Sequence, residues 1–162
     1  MMPPGEVAAT TRWSYPRISL LLLIVASCTQ LPPTSSASIP PIPAGEARLW
    51  IYRDDGPYES QERPYVRLNG QVVGISEPNG AFYRDIAPGL YTITVDSYMS
   101  NFFNQFVSID LAAGQEAYVK VLSMRVKVGS EVGGSRPIFF TYQIPPETAG
   151  REVAQSPFYG GS

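Results

Sequence analysis

Histidine is missing from the chain altogether, and cysteine occurs once in 162 residues. Without an imidazole, a Ser–His–Asp triad, a Cys–His pair, a His-ligated zinc and a haem with a proximal His are all excluded. A single thiol cannot close an internal disulfide, form a Cys-x-x-Cys redox pair or build a thiolate cluster. Charge is scarce as well: charged residues make up 16% of the chain, with 12 basic against 14 acidic. No basic run offers an electrostatic footprint for nucleic acid. Long hydrophobic runs are also lacking. The stretch Ile18 to Ala26, apolar apart from Ser19, falls well short of the ~20 residues that span a bilayer. Even so, 44% of the chain is hydrophobic, enough to fold one domain with appendages.

What is present begins with that short run. Arg12 and Arg17 precede it, and small residues close it, which is the layout of a secretory signal. The closing tetrapeptide Val25-Ala26-Ser27-Cys28 resembles the lipobox of bacterial lipoproteins. That resemblance implies a lipid thioether on Cys28, cleavage before it, and an anchor of two or more acyl chains. Each buried methylene contributes ~0.8 kcal/mol, and two chains hold where one does not. Cys28 is followed by Thr29 rather than the Asp that, in the family, retains products at the inner membrane. The resemblance therefore implies a periplasm-facing protein at the outer membrane. Losing residues 1–27 would leave a mildly acidic chain with nothing to draw it electrostatically to anionic lipid.

From Thr29 to Gly45 the sequence TQLPPTSSASIPPIPAG has little to bury, and its prolines oppose both helix and ladder hydrogen bonding. It reads as a tether over residues 28–46, able to hold a domain ~50 Å from the bilayer if extended. After Glu46 the period becomes two. Ala47, Leu49 and Ile51 share one face of a strand, with Arg48, Trp50 and Tyr52 on the other. Strands follow at Tyr65–Leu68, Gln71–Ile75, Ala81–Ile86, Leu90–Val95, Phe106–Leu111, Glu116–Val128 and Ile138–Ile144. Asn69-Gly70 is a strong hairpin signal, and turns at Pro78-Asn79-Gly80 and Ala87-Pro88-Gly89 continue a spacing of roughly ten residues. No three-turn helix is legible. The expectation is an all-β, small antiparallel sandwich over residues 47–144, with 145–162 a frayed tail to which Phe158-Tyr159 could add a docked contact.

The stretch VRLNGQVVGISEPNGAFYRDIAPGLYTITV, Val66 to Val95, resembles PEGA modules and other transthyretin-like or carboxypeptidase-regulatory-like sandwiches. With the preceding LWIYR and the lipobox-like end, the chain is most similar to domain-of-unknown-function family 2846, often found in lipoproteins. This implies the sandwich and supplies no catalytic residue.

Several clusters remain to be weighed. Asp54, Asp55, Glu59 and Glu62 could offer oxygens to Ca²⁺, but they lack EF-hand spacing and are flanked by Arg53 and Arg63, so a solvated loop is expected and no metal site. The segment Tyr98 to Phe106 crowds four aromatics between two strands; Phe102 and Phe103 are candidate partner contacts because both cannot easily face inward. Trp50 and Tyr52, with Arg48 on the presumed outer face of the first strand, are candidates too, as is the Arg125–Lys127 face. A reaction would need acids such as Asp85, Asp96 or Glu116 to converge in a cleft. The glycines of Gly129 to Arg136 do not form a phosphate loop, and no motif calls for a cofactor. The functional expectation is a non-catalytic binding or structural module of the cell envelope, held to the membrane through Cys28 and meeting an envelope protein or glycan. The alternative is a carbohydrate-binding or enzyme-accessory module using the aromatic loop.

Overall fold

Two four-stranded sheets face each other across the core in a computed structural model that describes residues 30–99, 105–129 and 134–162. The strands are β1 (Ala47–Arg53), β2 (Tyr65–Leu68), β3 (Gln71–Ile75), β4 (Gly80–Ile86), β5 (Gly89–Val95), β6 (Phe106–Leu111), β7 (Glu116–Lys127) and β8 (Ser135–Gln143). The first sheet runs β4-β1-β7-β8 and the second β3-β2-β5-β6. Alternation decides what lies between them. Leu49, Ile51, Val119, Val121 and Phe139 of the first sheet meet Val66, Ile93, Val95, Ile109 and Leu111 of the second. At Gly74 an added Cβ would stand 2.6 Å from the Phe82 ring, so the missing side chain is what lets Phe82 fill that part of the core.

The Asn69-Gly70 turn joins β2 to β3 as a hairpin, with φ of 49° and 84°, both positive as a type I′ turn requires. The other two turns do something different: Pro78-Asn79 and Ala87-Pro88 carry the chain from one sheet to the other. The sandwich is also not wholly antiparallel. β1 pairs parallel with β7, Trp50 opposite Tyr118, because β4 already holds the other edge of β1 and the chain leaves β6 at the end where β1 begins, so β7 runs in the direction of β1.

The largest departures from the sequence reading lie outside the strands. The tail is ordered. Residues Pro146–Gln155 form α1, with proline at its first position, Glu147 in its first turn, and Ala149 and Val153 buried one turn apart. Beyond it Pro157 to Ser162 runs along the free edge of β4, where the amides of Ala81, Tyr83 and Asp85 donate to Pro157, Gly160 and Ser162. Nor does the proline-rich segment stand off as a tether. Phe158 N donates to Pro32 O, both Thr34 N and Thr34 Oγ1 donate to Ser156 O, and Ile39 packs against the sheet. Residues from Pro32 onward therefore belong to the folded body. A third layer, made of this strap, α1 and the tail, covers the outer face of the first sheet.

That outer face is not the solvated surface its arginine and aromatics suggest. Trp50 and Tyr52 are buried, so neither offers a partner contact. The register sets three rows across β4, β1 and β7: Asp85–Arg48–Glu116, Tyr83–Trp50–Tyr118 and Ala81–Tyr52–Lys120. In the middle row the Trp50 ring centroid lies 5.0 Å from that of Tyr83 and stacks 6.4 Å from that of Tyr118, and Phe158 of the tail closes over the first two. Each flanking row is tied to the covering layer by a polar contact. Arg48 Nη1 donates to Pro40 O at 2.8 Å, and Glu152 of α1 accepts from Tyr52 Oη at 2.5 Å and Lys120 Nζ at 3.1 Å.

Candidate functional site

One end of the sandwich gathers most of the irregular chain, and we call it the loop end. There β1 leads through residues 54–64 to β2, β3 turns into β4, β5 leaves towards β6, and β7 and β8 project beyond their neighbours. The loop 54–64 is organised around a buried cation. Arg53 is fully enclosed, and its guanidinium donates to the carbonyls of Glu62 and Ser60 while facing Glu59 at 3.4 Å. Burial pushes this guanidinium below its ordinary pKa, with Glu59 acting the other way. Glu59 also accepts from Ser123 N and Oγ, whereas Asp54 turns to Lys120 at 2.6 Å. Two of the four loop acids, Glu59 and Asp54, are thus spent on separate partners. Among the described residues no group of three or more acids or thiols could hold a metal ion.

Beside this loop lies a cleft of about 480 Å³, between the start of β2 and the start of β8. Tyr65 and Tyr98 line it, Phe139 reaches it from the core, and the Arg136 guanidinium stands 5.6 Å from the Tyr98 ring centroid. The backbone here is pinned by side chains: Ser97 Oγ accepts from Phe139 N at 3.0 Å, and Gln105 Nε2 donates to Met99 O at 2.5 Å. The arrangement suits stacking and hydrogen bonding to a planar or sugar-like group. Tyr98 and Arg136 are far apart in the chain, and only the meeting of the two sheets places them together.

The acids that a reaction would need do not converge. Arg48 Nε and Nη2 form a bidentate pair with Asp85 at 2.7 and 2.8 Å, and that hydrogen bond holds the guanidinium above its ordinary pKa. Glu116, in the same row, accepts from Tyr118 Oη at 2.8 Å. Asp96 belongs to the other sheet and to the loop end, where it takes a bidentate pair from Arg67. Met124, Arg125 and Lys127 are exposed on the projecting part of β7. Phe102 and Phe103, and the Val25-Ala26-Ser27-Cys28 segment, lie outside the described residues.

The contact between α1 and the sheet carries a pH signature. Burial alone would raise the Glu152 pKa, but hydrogen bonds from Tyr52 and Lys120, with the Lys120 charge, hold it below the usual carboxylate range. A carboxylate depressed in the folded state adds stability above its unfolded pKa, and that stability is lost as pH falls through the folded value. Wild type should therefore lose stability below about pH 4.3, and Glu152→Gln should lose less of it there. Urea titrations at pH 7 and pH 3 would show whether the gap between the two proteins narrows on acidification.

Among the described residues no helix is long and apolar enough to cross a membrane. A family model described as protein of unknown function (DUF2846) matches residues 43–135. The match stops where β8 begins, leaving that strand, α1, the tail and most of the strap beyond it. No curated protein matches the chain.

Proposed function

Since the chain belongs to the DUF2846 family of proteins of unknown function, we propose that it is a lipid-anchored module of the bacterial cell envelope, periplasm-facing and non-catalytic. Its sandwich binds or braces another envelope component, and its place is the outer membrane rather than the inner. The observation that carries this reading is the segment Ile18 to Cys28: a short apolar run after two arginines, closed by Val25-Ala26-Ser27 and the chain's single thiol. Small residues before the thiol allow an extended peptide into a narrow protease cleft at the bilayer surface, and the thiol is the acceptor for the lipid. The engagement of Asp85 with Arg48, Asp96 with Arg67 and Glu116 with Tyr118 supports a binding task over a bond-making one. So does the open cleft at the loop end, which offers aromatic faces and an arginine.

Cys28→Ser should move the protein from the membrane fraction into soluble or unprocessed forms, because two or more acyl chains are replaced by none. Fractionation of cells expressing each protein at matched levels tests this. Equal membrane association of wild type and variant would defeat the anchor.

A further inference from the structure

We propose that the sandwich sits flush on the phospholipid surface with its loop end against the headgroups, instead of swinging on a long tether. The inference rests on the anchored reading above and deepens it. Two independent features of the structure lead to it.

The first is the shortness of the leash. Pro32, Pro33 and Thr34 are bonded to the tail at Ser156 to Phe158, and Pro33 forms a β-bridge with Pro157. The strap leaves this contact at the loop end, where Gln30 and Leu31 lie beside Asp55, Pro78, Asn79 and Tyr159. Only two residue steps separate Cys28 from Gln30, a reach of at most ~7 Å. The β1 strand alone is about 20 Å long. An anchor on Cys28 therefore brings one end of the body to the bilayer and holds the opposite end, with the Ala112–Gln115 turn, well away from it.

The second feature is the distribution of exposed aromatic surface. The exposed tyrosines among the described residues are Tyr58, Tyr65, Tyr98 and Tyr159. All four are at the loop end: Tyr58 in the loop after β1, Tyr65 opening β2, Tyr98 just past β5, and Tyr159 beside Gly80. Tyr58 is 88% exposed, and Leu31, on the strap itself, is exposed too. Tyrosine suits the headgroup layer, where its ring is apolar and its hydroxyl stays wet. Charge at this end is mixed: Arg63 pairs with Glu77 at 2.9 Å and Asp54 with Lys120, while Arg125 and Lys127 stand exposed on β7, so a surface of mixed zwitterionic and anionic headgroups suits it.

With Cys28 acylated, a cysteine added elsewhere is the only free thiol in the chain. Tyr58→Cys and Ala113→Cys in the full lipidated protein would carry a fluorophore at the loop end and at the far end. Both go into phosphatidylethanolamine–phosphatidylglycerol vesicles containing lipid with a nitroxide on its headgroup. The probe at 58 should be quenched several-fold more than the probe at 113. Twelve Gly/Ser residues inserted between Thr29 and Gln30 should abolish the difference. Equal quenching at both positions with Cys28 acylated by mass would overturn the flush mounting and leave the anchor standing. An unmodified Cys28 would overturn both. Shielding of position 58 from solvent without quenching by lipid means that a protein covers this end, and it also overturns the proposal.

Discussion

Residues 47–144, the limits that strand periodicity suggests, will not fold cooperatively, whereas residues 30–162 will. Cutting at 47 and 144 removes the strap, α1 and the tail, and so uncovers Trp50, Tyr52, Tyr83 and Tyr118 on the outer face of the first sheet. Burying a large side chain is worth roughly 1.5–3 kcal/mol. Four of them amount to about 6–12 kcal/mol, comparable to the whole stability of a typical domain at ~5–15 kcal/mol. The cut also strips the edge of β4 of its neighbour and leaves the Arg48 guanidinium without the Pro40 carbonyl. Urea unfolding followed by tryptophan emission and far-UV circular dichroism would give a sigmoid for 30–162 and a shallow drift for 47–144. Matching midpoints for the two would mean that the third layer is decoration.

The second large effect concerns Arg48 and Asp85, whose side chains are 2% and 6% exposed. Asp85→Ala leaves an enclosed guanidinium between Tyr83, whose ring centroid is 4.0 Å away, and the strap. Its remaining partners are a carbonyl and the more distant charge of Glu116. Removing one member of a buried pair costs about 3–5 kcal/mol, because the other charge stays desolvated and unmatched. Replacing both with apolar groups, Arg48→Met with Asp85→Leu, restores most of the loss by the same logic. Urea midpoints of the two single variants and the double variant would decide it. A double variant as unstable as the sum of the singles would contradict the account.

Much of the strand pattern was open to reading from residue order. Ala47–Arg53, Tyr65–Leu68, Gln71–Ile75 and Phe106–Leu111 fall where alternation and the Asn69-Gly70 turn place them, because one face of each strand is apolar and a slip would turn that face outward. What alternation could not show is what covers the other face. Arg48 and Tyr52 read as surface since nothing in a period of two says that Asp85 or Glu152 will arrive from elsewhere to satisfy them. α1 escaped notice because its apolar stripe is only Ala149 and Val153, with Gly150 inside it; packing on a ready-made aromatic face supplies what propensity lacks. The strap was hidden for a related reason. Proline forbids a regular ladder, yet a few well-placed bonds and the Ile39 side chain suffice to dock it. In the candidate cleft, Tyr98 and Arg136 were visible as residues but not as neighbours, since their contact depends on how the two sheets meet.

All that concerns place and partners depends on one covalent bond at Cys28. The direct test is the intact mass of the amino-terminal peptide of the native protein, recovered from cell membranes and digested. The account predicts a peptide that starts at Cys28 and carries a diacylglyceryl thioether, with or without a further acyl group on its amine. A peptide that starts elsewhere, or a Cys28 with a free thiol, would contradict it.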